Sequence, residues 1–253
     1  SNEVRGVFAG GYSPSLGQLK NIDYVTIASK GNAADFGEQE AQGTHMGSVS
    51  SPTRGIFNSR SPGTDANSNV IDYITIATTG NTKDFGDSFH GNNGKAGASS
   101  TTRGVFAGGY VNGQINGIEY VTMATLGNAI DFGDLTEARG RIGGTSNQIR
   151  GIFIGGRVDP TYTKTIDYIT TATIGNWTDF GNCNVASYFN GGTNSSTRMV
   201  KCGGITEGPN TITDSMEYVT IGSTGNGTDF GNLVIANGGF SCGNVSNGTR
   251  GNF

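Results

Sequence analysis

Short runs of β-branched and aromatic residues alternate with polar ones along the whole chain, and each run stops at a turn rich in glycine, asparagine, serine or threonine. Ile22-Asp23-Tyr24-Val25-Thr26-Ile27-Ala28 alternates with the period of two that puts one face of a strand against a core. Arg5-Gly6-Val7-Phe8-Ala9-Gly10-Gly11 reads as a short strand closed by a glycine turn. Gly31-Asn32 suits a tight turn that needs φ > 0, and residues 32–37 read as the returning strand. The stretch before each arginine, such as Gly140-Arg141-Ile142-Gly143-Gly144-Thr145, is built from small residues and predicts a strand where backbones crowd together. One unit thus holds four short strands.

The unit recurs. Arg-Gly-Val-Phe at 5–8 returns with its arginine at Arg54, Arg103, Arg150, Arg198 and Arg250, at spacings of 49, 49, 47, 48 and 52 residues. A second motif, (Ile/Met)-(Asp/Glu)-Tyr-(Val/Ile)-Thr, carries its acid at Asp23, Asp72, Glu119, Asp167 and Glu217. A third, Asp-Phe-Gly, begins at Asp35, Asp84, Asp131, Asp179 and Asp229, always 12 residues later. A Gly-Asn pair lies between the two in each copy. Repeats of roughly 40–50 residues with four strands each are the blades of a β-propeller.

The glycine pairs that end a short hydrophobic strand (Gly10-Gly11, Gly108-Gly109, Gly155-Gly156, Gly203-Gly204), the following tyrosine strand and a closing aromatic resemble the kelch repeat. The chain departs from kelch in closing its units with Phe36, Phe85, Phe132, Phe180 and Phe230 rather than tryptophan, and Ser59-Arg60 replaces one glycine pair. The phrasing of the second and third motifs, with the Ser/Thr-rich run before Arg103, is similar to kelch-like arrays in structural proteins of tailed bacteriophages, notably marine and cyanobacterial ones. That resemblance covers essentially the whole chain. It implies a virion component, as a tail, fibre or capsid-decoration protein, located in the extracellular particle. The implied partners are other virion proteins or a host cell-surface receptor or glycan, with contacts between copies of the chain compatible with that role.

The expected fold is all-β: a single domain over 1–253, a five-bladed kelch-like propeller with four strands per blade. The repeats run approximately over 5–53, 54–102, 103–149, 150–197 and 198–249, with 250–253 as a closing segment. The chain enters at the second strand of blade 1, so the missing innermost strand is expected from residues 238–247, a 3+1 closure that removes exposed sheet edges. Residues 250–253 then want the place that 5–8 already hold. This leaves either a displaced tail or a domain cut from a longer chain.

Composition narrows the function. Glycine fills 44 of 253 positions without a period of three, and there are 5 prolines, which excludes collagen. A net charge of −4 argues against a nucleic-acid or anionic-membrane footprint, and the interrupted apolar runs contain no membrane-inserting span. The chain's whole net charge comes from the motif arginines and acids, since the remaining charges cancel. Catalysis needs one-off groups whose environments split their pKa values. Equivalent acids in equivalent units, Asp23, Asp72, Glu119, Asp167 and Glu217 with Asp35, Asp84, Asp131, Asp179 and Asp229, read instead as structural. They are expected to form buried hydrogen bonds and ion pairs, with Arg5, Arg54, Arg103, Arg150 and Arg198 bridging to them. No catalytic residue, cofactor or metal site is assigned. Cys183, Cys202 and Cys242 read as small buried hydrophobes, and His45 and His90 as exposed rim residues.

Recognition is expected on one face of the ring. There the loops 12–21, 61–70, 110–117, 157–165 and 205–215 differ in length and content on a repeated frame, the usual place for binding. Tyr12, Arg60, Tyr110, Arg157 and Tyr162 are the expected aromatic and arginine anchors. A multivalent glycan-binding lectin is the alternative reading. Trp177, where other units carry Ala, Thr or Gly, is either an interface anchor or a lone exposed aromatic.

Overall fold

The computed structural model describes residues 1–59, 68–208, 211–238, 245–246 and 251–252. The expected four-stranded sheet is present in blades 2 to 5. In blade 2 the inner strand Gly47–Ser50 is followed outward by an arginine strand Arg54–Asn58, a tyrosine strand Val70–Thr75 and an outer strand Lys83–Asp87, all antiparallel. Blades 3, 4 and 5 repeat the order from Ala96–Ser99, Gly143–Ser146 and Gly191–Asn194 out to Ile130–Asp134, Thr178–Asn182 and Thr228–Asn232. Blade 1 is a three-stranded sheet of Arg5–Ala9, Asn21–Thr26 and Ala34–Glu38.

The inner strands crowd side by side, which is why the sequence is small there. A Cβ at Gly97 would lie 2.1 Å from the Ser48 carbonyl oxygen of the neighbouring blade, so no larger residue fits without moving backbone. Apolar clusters fill the spaces between blades. Ile56, Ile71 and Phe85 of blade 2, for example, pack against Phe106, Val121 and Met123 of blade 3. Trp177 resolves to the interior. It is buried against Phe153, ring centroids 4.2 Å apart, in the cluster between blades 3 and 4. Cys183 is a buried free thiol and Cys202 is buried, while Cys242 lies outside the described residues.

Most of the expected closing strand, residues 239–244 and 247, lies outside the described residues; within them Val245–Ser246 pairs with Gly251–Asn252 in a two-stranded hairpin, and Arg5–Ala9, Asn21–Thr26 and Ala34–Glu38 form a three-stranded sheet. Ser246 faces Gly251 just as Ser50 faces Gly55 and Ser99 faces Gly104, so Gly251 takes the place beside the closing strand that Gly55 and Gly104 take in their blades. Arg5–Ala9 is held by Asn21–Thr26 instead.

Candidate functional site

The repeated charges divide into three roles, which the sequence alone did not separate. The arginines do not bridge to the acids as expected. Each lies over the tyrosine ring of its own blade, 4.5–4.9 Å from the centroid, at Tyr24, Tyr73, Tyr120, Tyr168 and Tyr218. Four of them also reach the next blade. Arg54, Arg103 and Arg150 donate through Nη1 to the carbonyls of Met123, Thr171 and Ile221 at 2.9 Å, and Arg5 donates to those of Ile76 and Ala77. Stacking keeps the charge solvated on one side while the guanidinium ties two blades together.

The tyrosine-strand acids Asp72, Glu119, Asp167 and Glu217 are buried. Each of the last three clamps the loop that leaves the preceding blade. Glu119 accepts from the amides of Phe89 and His90, from Ser88 and Asn58, and pairs with Lys95. Asp167 accepts from Thr136 and from Arg139 at 2.7 Å, and Glu217 from the amides of Asn184 and Val185 and from Lys201. The cation therefore comes from a different sequence position each time, which hid it from repeat alignment. Burial pushes the Glu119 carboxyl up, but Lys95 and the hydrogen bonds from Ser88 and Asn58 outweigh it and hold the group below its ordinary range. Asp23, the fifth member, is exposed. The Asp-Phe-Gly acids Asp35, Asp84, Asp131, Asp179 and Asp229 are all exposed, so the expected burial fails for this set. They sit across the ladder from the first set, at a bulge that separates the two environments.

The loops after the glycine pairs meet the loops after Asp-Phe-Gly on one face. Gly11, Gly109, Gly156 and Gly204 donate to the carbonyls of Gly43, Arg139, Ser187 and Asn237. Tyr110 and Arg157 come together there with Gln114, Gly140, Arg141 and Asp159 around a cleft of about 140 Å³. Asp159 accepts from Gln114 at 2.6 Å and from Arg157 at 2.5 Å, and these contacts, Gln114 first, lower its pKa. Tyr162 lies beside this cleft, stacked at 4.5 Å on Tyr188, which together with Phe189 carries Arg141 over its ring. Glu207, at the place in blade 5 that Asp159 holds in blade 4, accepts from the Tyr162 amide. Tyr12 is exposed near the axis and outside this cleft. Arg60 lies outside the described residues.

Sequence reasoning missed a ring of left-handed residues at the axis. His45, Gly94, Arg141 and Phe189 each stand two residues before an inner strand, with φ of 59°, 73°, 57° and 55°. Their backbones join in sequence, Gly94 N–H to His45 O, Arg141 N–H to Gly94 O and Phe189 N–H to Arg141 O, at 2.8–3.0 Å. His45, expected on an exposed rim, is half-buried with its ring stacked on Phe189 at 5.3 Å. Burial, aided by Arg141, lowers its pKa to about 4. Only glycine at one of the four positions signals the conformation, because the other three accept the strain of αL. Beyond this ring a cavity of about 1010 Å³ runs along the inner strands, lined by Ser48, Ser50, Ser99, Thr145, Ser146 and Asn194 among others.

No protein-family model and no curated protein matches the chain. Among solved structures it is similar to YjhT, a kelch-repeat β-propeller protein, with a TM-score of 0.70 at 10% identity over 85% of this chain and 78% of that one. The fold is thus that of a kelch-type propeller.

Proposed function

We propose that this chain is a non-enzymatic recognition module of a bacteriophage particle, a tail, fibre or capsid-decoration component that attaches to a host surface or to other virion subunits through its variable-loop face. The observation that carries the reading is the cleft shared by Tyr110, Gln114, Arg141, Arg157 and Asp159. It presents an aromatic ring, two guanidiniums and one carboxylate on a frame whose repeated arginines and buried tyrosine-strand acids hold blades and loops together. The resemblance of the repeat phrases to phage arrays supplies the particle.

A glycan or another polar surface group fits this mixture of an aromatic platform and charge-assisted donors. The cleft is built from the loops of blades 3 and 4. The test is binding of the full chain to a glycan array and to candidate host cells. Tyr110→Ala is expected to weaken binding at least tenfold, as loss of an anchor does, while Asp131→Asn on the outer strand leaves it unchanged. Equal loss from both variants, or from neither, contradicts the reading.

A further inference from the structure

We infer that the flank between the fifth and first blades is an acceptor slot for a β-hairpin of the repeat's own outer-half type, supplied from outside residues 1–253. The inner ring has six stations. Ser1, Ser50, Ser99, Ser146, Asn194 and Ser246 each precede a motif arginine by four residues. Ser99 donates to the Ser50 carbonyl, Ser146 to that of Ser99, Asn194 to that of Ser146, Ser246 to that of Asn194, and Ser1 to that of Ser246, at 2.7–3.2 Å. The hairpin of Val245–Ser246 and Gly251–Asn252 therefore occupies a sixth sector in blade register, as its inner half. All five copies of the tyrosine motif and of Asp-Phe-Gly are engaged in the five blades, and the described residues place no tyrosine or outer strand in this sector.

The two walls of the gap carry surfaces that every other junction covers. On the blade 5 side Phe230 is 49% exposed, whereas Phe36, Phe85, Phe132 and Phe180 are at 1–2%. Met216 is half-buried where Ile22, Ile71, Ile118 and Ile166 are fully buried. A Cβ on Gly231 meets nothing within 4 Å, while one on Gly86 would sit 2.5 Å from Gly127 of the next blade. On the blade 1 side Asp23 is exposed where its counterparts are buried, and Val25 is half-buried where Ile74, Val121, Ile169 and Val219 are buried.

These walls define the occupant. In complete junctions the Phe carbonyl accepts from the glycine of the next Gly-Asn pair, and the asparagine side chain accepts from the backbone amide two residues beyond that Phe. In complete sectors a loop after the outer strand delivers amides, hydroxyls and a cation to the following acid. The ligand is accordingly a hairpin reading Ile-(Asp/Glu)-Tyr-(Val/Ile)-Thr, Gly-Asn, Asp-Phe-Gly, with a lysine or arginine about ten residues on. It adds to the edge of Gly251–Asn252 by main-chain pairing and places its cation against Asp23.

A peptide with the sequence of residues 115–139, which runs from the tyrosine strand of blade 3 to Arg139, is the probe. Fluorescence anisotropy on the full chain is expected to show saturable 1:1 binding, with slowed amide exchange in 21–26 and 228–232. Phe230→Asp, at a site already exposed, is expected to weaken it at least tenfold, and Ile149→Asp, exposed elsewhere, to leave it unchanged. Absence of saturable binding, equal binding of a scrambled peptide, or indifference to Phe230→Asp overturns the inference. So does a concentration-dependent dimer that protects 228–232 without peptide, which would make a second copy the occupant.

Discussion

Four junctions join neighbouring blades, and one flank separates the fifth blade from the first, yet all are written in the same repeat. At each junction the outer strand's Phe carbonyl is taken by a glycine amide, Gly80, Gly127, Gly175 or Gly225, at 2.7–3.0 Å. The arginine reaches across to the next blade. At the flank, Phe230 is open, and Arg198 is exposed while its counterparts are half-buried. The residues are equivalent; only their neighbours differ. A motif residue in this fold acquires its role from the blade beside it, so an equivalent position with no neighbour is a surface.

Paired substitutions break the comparison most sharply where burial differs most. Glu119→Ala leaves Lys95 buried and unpaired, and is expected to cost about 3–5 kcal/mol. Asp23→Ala, the same motif position at the flank, is expected to stay within about 0.5 kcal/mol. Urea denaturation midpoints of the two variants check this, and equal losses would show that Asp23 is covered. Next in size, Phe132→Ala empties a buried site at a cost of about 3–5 kcal/mol, whereas Phe230→Ala is expected to cost about 1 kcal/mol or less. Thermal unfolding of the pair reads the difference.

Two further pairs sharpen it. Gly86 and Gly231 share an unfavourable φ, 148° and 126°, so Ala strains both; at Gly86 the added methyl also strikes Gly127 backbone. Gly86→Ala is expected to be the worse by about 1–3 kcal/mol in equilibrium unfolding. The smallest effect is Arg103→Met against Arg198→Met. Both lose a stacked ring contact of about 0.5–1 kcal/mol, but only Arg103 loses a bond to the next blade, so its denaturation midpoint should fall further.

Much of the frame was legible in the sequence, because a strict period with a fixed 12-residue gap between two motifs leaves little choice but equal blades. The pairing of charges was not. Arginine and acid recur together along the chain, but the ladder sets Val7 opposite Tyr24 and Arg5 opposite Thr26, which brings the guanidinium onto the tyrosine ring instead. The two acid sets look alike as letters and differ because the bulge at Ile71/Asp72 and its equivalents puts one in the blade interface and the other in solvent. Of the cleft on the variable-loop face, Tyr110 and Arg157 were legible as oddities in variable loops. Asp159 and Arg141 were not, since their value comes from loops of different blades meeting, and His45 was misread because nothing in sequence marks an αL turn at the axis.

Amide hydrogen exchange tests the open flank most directly. The glycines Gly80, Gly127, Gly175 and Gly225 donate to the preceding blade and should exchange slowly, while Gly31, in the same turn of blade 1, should exchange at close to the rate of a solvated amide. Slow exchange at all five turns in the isolated chain would mean that the first and fifth blades meet like the rest, and would contradict the account.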